Sequence, residues 1–161
     1  MVVVSNTSPL NYLLMIDAVE VLRGLYGEIH VPELVIAELG SSNSPEVVRA
    51  WTRRLPGWVR VCSPSQLRVA EPLHAGELHA VSLALELGAE RLLIDDYAGR
   101  EVARSAGVSV AGTIGVLDLA AEKRLVDLPQ CVKRLLATNF RVRREIVEEV
   151  LCRDVVRRGG N

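Results

Sequence analysis

The sequence predicts an α/β fold, a three-layer α/β/α sandwich around a mainly parallel central sheet. Short apolar runs near residues 2–5, 28–31, 91–95 and 108–111 alternate with longer stretches of helical periodicity. The run Leu92-Leu93-Ile94 is unbroken rather than alternating, as a strand covered on both faces of a parallel sheet requires. With 49% apolar residues in 161, the chain can bury a substantial core as one domain over residues 1–156, with 157–161 expected as a disordered tail.

Val2-Val3-Val4 is a β-branched strand that stops at Ser5-Asn6-Thr7-Ser8-Pro9 and gives way to a helix through Leu10, Tyr12, Leu13, Leu14 and Met15. The polar cluster therefore falls at the carboxyl edge of the sheet. There it can cap the helix, with Pro9 in the first turn, and also offer ligand oxygens. A short helix over 18–25 precedes the strand Ile29-His30-Val31, which Pro32 ends. Residues 33–39 read as a helix with Glu38 on the side of Leu34 and Val35. A helix over 46–54 and the turn Pro56-Gly57 lead into Trp58-Val59-Arg60-Val61, which alternates like an edge strand or connector.

The most informative stretch is HAGELHAVSLALELGAERLLIDDYAGR, from His74 to Arg100. Residues 77–87 read as a largely buried helix with a narrow polar stripe of His79, Ser82 and Glu86, and Gly88 is placed to stop it in a left-handed turn. About eleven helical residues descend roughly 16 Å, and five strand residues climb back by as much. Glu77 and Asp95-Asp96 should therefore share one sheet edge. Glu77 lies on the face of Val81, Ala84 and Leu85, so it turns inward, and an inward carboxylate near others calls for a cation or a proton. His74 and His79 flank Glu77 without the i, i+4 spacing of a helical His pair.

A helix over 98–107 and a strand over 108–111 follow, and Thr113 is placed to cap the helix over 114–123 at the same edge. Helices over 129–137 and 142–156 complete the chain.

The formal charge is −1, yet residues 123–158 hold ten basic and five acidic residues, a local +5 that suits either solvated helix faces or attraction for nucleic-acid phosphates. Cys62, Cys131 and Cys152 are odd in number and unpaired in spacing, which argues against a disulfide framework and a zinc site. With no basic leader and no apolar run of about eighteen residues, a cytoplasmic protein is expected. In open parallel sheets ligands bind beyond the strands' carboxyl ends. Asn6, Glu77 and Asp95-Asp96 meet there, and Glu38 can reach in. Oxygen ligands without thiols or paired histidines suit Mg²⁺ or Mn²⁺, hence phosphodiester hydrolysis.

The segments VSNTSPLNYL, VPELVIAEL, GELHAVSLALELGAERLLIDD and GTIGVL resemble the PIN-domain ribonuclease superfamily over about residues 2–152. The opening SNTSPL is similar to a poorly characterised bacterial and archaeal branch of VapC-like character. The resemblance implies four acidic positions that bind Mg²⁺ or Mn²⁺ and cut RNA. In this chain they fall on Asn6, Glu38, Glu77 and Asp96, with Asp95 beside the last. It implies Glu38, Glu77 and Asp96 as the catalytic acids, with Thr7, Ser8 and Thr113 near the substrate. It further implies a toxin with an antitoxin partner, and a homodimer. Asn6 departs from the pattern, because an amide oxygen ligates a divalent ion without bringing charge. The alternative is a PIN-like module weakened in cleavage that binds RNA or protein. A receiver-like reading of Asp95-Asp96 lacks the acidic pair after strand one.

Overall fold

The computed structural model describes residues 1–69 and 72–159. The chain runs β1 (Val3–Ser5), α1 (Thr7–Met15), α2 (Val21–Tyr26), β2 (Ile29–Val31), α3 (Glu33–Leu39), α4 (Glu46–Arg53) and β3 (Val59–Val61). It continues through α5 (Ala75–Leu87), β4 (Arg91–Leu93), α6 (Tyr97–Ser105), β5 (Ser109–Ala111), α7 (Thr113–Glu122), α8 (Leu128–Leu136) and α9 (Arg144–Gly159). The five strands are all parallel, in the order β3-β2-β1-β4-β5, so the segment 58–61 is an edge strand and not a connector.

Alternation along each strand divides the core between two layers. Val3 and Leu93 face a large layer built with Leu10, Leu13, Leu117 and Leu135, whereas Val4, Leu92 and Ile94 face a thin one with Ala80, Val81, Leu83 and Ala84. The two alanines let α5 lie close to the sheet, and each is 0% exposed. Enlarging either to leucine would cost about 1–3 kcal/mol through overpacking.

Gly88 adopts φ 61°, ψ 43°, the left-handed turn foreseen for it, and returns the chain from α5 into β4. The stripe of Ser82 and Glu86 is where the preceding segment docks. Arg68 donates its N–H to the buried Ser82 Oγ at 2.9 Å, and Ser65 donates its N–H and hydroxyl to Glu86 Oε2 at 2.7 and 2.9 Å. Those two donors and Arg68 hold the Glu86 carboxyl below its ordinary pKa.

The expected loose tail is corrected over residues 157–159, which continue α9. Arg157 pairs with Asp118 at 2.9 Å and Arg158 with Asp154 at 2.8 Å, and these contacts favour continued helix. Gly160 and Asn161 lie outside the described residues. No described helix is long and apolar enough to cross a membrane.

Candidate active site

The strand order reverses between β1 and β4, which makes the space beyond their carboxyl ends the switch point of the sheet. The β1–β4 ladder ends with Asn6 donating its backbone N–H to Leu93 O at 2.9 Å. Asn6 occupies the N-cap position of α1 with extended backbone, yet its side chain makes no capping bond. The residue is 3% exposed, and its Oδ1 is buried without a hydrogen-bond partner. A carbonyl oxygen left in that state costs about 1–3 kcal/mol unless a ligand satisfies it.

Three of the sequence-predicted acids reach this edge through close approaches at glycine. Thr7 donates its hydroxyl to Glu38 Oε2 at 2.5 Å. The Glu38 carboxylate also covers the first turn of α5, where a Cβ on Gly76 would come within 2.7 and 2.8 Å of its oxygens. Glu77 follows in that turn. A Cβ on Gly99 in α6 would sit 3.5 Å from Asp96 Oδ2 and 3.6 Å from the Glu77 Cβ, so these two residues border the same glycine. The ring thus runs Asn6-Thr7, Glu38, Gly76-Glu77, Gly99, Asp96. Glu38, Glu77 and Asp96 are half-buried.

Asp96 also caps α6, accepting the Gly99 N–H on Oδ2 at 2.8 Å. Asp95 is bound differently. Its Oδ1 accepts the Thr113 N–H at 2.7 Å, and its Oδ2 accepts the hydroxyls of Ser8 and Thr113, each at 2.7 Å. Asp95 therefore clamps α1 and the start of α7 to the end of β4. It also caps α7, a role expected of Thr113, because the N-cap position belongs to Gly112 and Thr113 is the first helical residue.

The hydroxyls of Thr7, Ser8 and Thr113, expected beside a substrate, are given to acids instead. Thr113 is 0% exposed. Among the described residues no three His, Cys, Asp or Glu side chains are gathered closely enough to hold a metal between them. Glu38, Asp95 and Asp96 are each held by hydroxyl or N–H donors. Like charges at this edge also repel until a cation offsets them.

Sequence reasoning missed Tyr12, Arg100 and the glycines. Tyr12 donates its hydroxyl to Asn139 Oδ1 at 2.9 Å and meets Phe140 edge-on at 4.9 Å. Burial, then the nearby charge of Asp95, raises its pKa, so the phenol stays a neutral donor. Arg100 Nε is buried without a partner, and a Cβ on Gly112 would come within 2.8 Å of Asp95 Oδ1 and 3.6 Å of Arg100 Nη1. The only available signal was a glycine or arginine spaced one helical turn from an acid in DDYAGR.

By type, though not by close gathering among the described residues, the all-oxygen donors of this edge suit a hard divalent ion. Asn6 Oδ1 is an orphaned buried acceptor, and Glu38, Glu77 and Asp96 keep oxygens without protein partners among the described residues. Comparison with curated proteins finds no significant match. The PIN-domain family profile matches residues 2–154. That span takes in all five strands and every acid of the rim, and the chain belongs to the PIN-domain family.

Proposed function

We propose that the protein is a Mg²⁺- or Mn²⁺-dependent endoribonuclease that hydrolyses phosphodiester bonds of RNA. The observation that supports this best is Asn6 Oδ1, a buried acceptor without a partner at the switch point, followed in the chain by Thr7, which bonds Glu38. In this reading Asn6, Glu38, Glu77 and Asp96 hold the ion. When bound, the ion supplies Lewis-acid activation of an attacking water and charge neutralisation at the phosphate. Thr7 fixes the Glu38 carboxylate, and the Gly99 N–H fixes Asp96. Such positioned oxygens keep the chain's own contribution to geometry and charge. Asp95 positions the others by clamping α1 and α7 to the sheet.

The test is cleavage of an end-labelled unpaired RNA by the pure protein in millimolar Mn²⁺. Glu77→Gln and Asp96→Asn should each lower the rate by at least about 100-fold without loss of fold, because each removes a charged ligand. No cleavage by the natural protein, or cleavage indifferent to both changes, would overturn the reading. Such an activity suits the toxin of a toxin–antitoxin pair acting as a homodimer on cytoplasmic RNA. Growth arrest on expression, relieved by co-expressing a neighbouring antitoxin gene, tests that role.

A second reading, a PIN module weakened in cleavage that binds RNA or protein, is favoured by the neutral amide at Asn6. It requires RNA affinity that survives chelation of divalent ions and cleavage that appears only with Asn6→Asp.

A further inference from the structure

Of the ten basic residues in 123–158, the four arginines of α9 are paired with carboxylates, whereas Lys123, Arg124, Lys133, Arg134, Arg141 and Arg143 have no carboxylate partner among the described residues. Along α9 the arginines are neutralised: Arg144 by Glu148 at 3.0 Å, and Arg153 by Glu149 and Asp118 at 2.8 and 2.9 Å. Arg157 is answered by Asp118 and Asp154, and Arg158 by Asp154. The chain joining α8 to α9 differs. Arg141 and Arg143 have no carboxylate partner among the described residues, and neither does Arg100 of α6.

These three arginines line one cavity of about 510 Å³ between β5, the start of α7 and that connector. Arg91 and Arg153 also line it; Arg91 has no carboxylate partner among the described residues, and Arg153 is already paired. The lone acid in the wall is Asp95, whose oxygens already accept three hydrogen bonds. The connector is pinned in place. Tyr12 holds Asn139 and Phe140, and the Thr138 hydroxyl ties the end of α8, donating to Leu135 O and accepting the Phe140 N–H at 3.1 Å. Arg141 and Arg143 are exposed on that connector, while Arg100 is half-buried.

We propose that this cavity is a phosphate subsite that takes a backbone phosphate of unpaired RNA next to the one presented to Asn6, Glu38, Glu77 and Asp96. Guanidinium groups bind phosphate oxygens in a bidentate fork, and unpaired cations around a cavity concentrate anions there. RNA fits better than an acidic peptide. A phosphodiester strand carries a second phosphate for the adjoining oxygen cluster, whereas a peptide carboxylate would meet only like charge there. The inference rests on the ribonuclease reading for the identity of the strand; the anion chemistry of the cavity stands apart from it.

The experiment is anisotropy of a labelled unpaired RNA of about twelve nucleotides with the full chain in EDTA, over a salt series. Arg141→Gln/Arg143→Gln should weaken binding at least about tenfold at low salt and flatten the slope of log affinity against log salt by roughly 0.7, the value for one phosphate no longer neutralised on a single strand. Arg144→Gln, which removes a paired arginine, should leave both unchanged. A double variant that binds RNA like the natural protein, or a natural protein without RNA affinity at low salt, overturns the subsite. So does a polyglutamate peptide that depends on Arg141 and Arg143 while RNA does not. Binding that falls as expected in a protein that never cleaves sinks the nuclease reading alone. Cleavage with unaltered affinity in the double variant sinks the subsite alone.

Discussion

Among the described residues, Asn6, Glu38, Glu77 and Asp96 keep oxygens without a protein partner on one side of the switch point, while on the other Asp95 is committed to three hydrogen bonds beside arginines without carboxylate partners. Asp95 and Asp96 are neighbours in the chain, yet one clamps elements together and the other borders the ring with Glu77. The difference shows that two adjacent carboxylates at a strand end can face different donors, three at Asp95 and one at Asp96.

The sharpest way to break the comparison is to change the two aspartates separately. Asp96→Asn should abolish Mn²⁺-dependent cleavage, a loss of at least about 100-fold, with little change in thermal midpoint. Asp95→Asn should act through stability instead, costing about 1–3 kcal/mol because the Thr113 N–H and two hydroxyls lose a charged acceptor. Denaturant unfolding beside a cleavage assay separates the two. Equal effects of both changes on both readouts would dissolve the distinction.

A smaller effect is expected from Gly76→Ala. Its Cβ would meet the Glu38 carboxylate at 2.7–2.8 Å, and the far end of that side chain can move aside at small cost in stability. Cleavage should fall about tenfold through misplacement of one acid. Unaltered kinetics would mean that the position of Glu38 does not matter.

Asn6→Asp sharpens the same contrast from the other direction. It adds a buried charge to an acidic rim, so the variant should unfold at lower temperature in EDTA and recover more than the natural protein does when Mn²⁺ is added. Identical melting of the two proteins in both conditions would speak against a cation at Asn6.

The smallest effect concerns pH at the segment docked on α5. The Glu86 carboxyl is held below its ordinary pKa, chiefly by the N–H of Ser65. A lowered folded-state value gives a contribution that is present above the unfolded-state pKa and lost as pH falls through the folded one. Amide exchange at Ser65 and Arg68 should accelerate on acidification across that window, and a pH-independent rate would refute the linkage.

The fold was legible because periodicity is a local signal. The unbroken Leu92-Leu93-Ile94, the stop at Gly88 and the break at Pro32 each mark an element through sterics or burial alone. That Glu77 and Asp96 border one edge was legible from helix and strand rise, whereas Glu38 was expected only to reach in from its own helix. The assignment of donors was not, since which hydroxyl finds which carboxylate depends on contacts between residues as far apart as Ser8 and Asp95. The same holds for the basic block, whose total charge was plain in the sequence while its pairing along α9 depended on Asp118, far away in the chain.

Titration with Mn²⁺, followed by calorimetry or by the electron paramagnetic resonance of the free ion, tests the site most directly. Binding should be present in the natural protein and in Asp95→Asn, and should be lost or weakened by at least about tenfold in Glu77→Gln and Asp96→Asn. Absence of binding by the natural protein, or equal binding by all four, would contradict a cation held at Asn6, Glu38, Glu77 and Asp96.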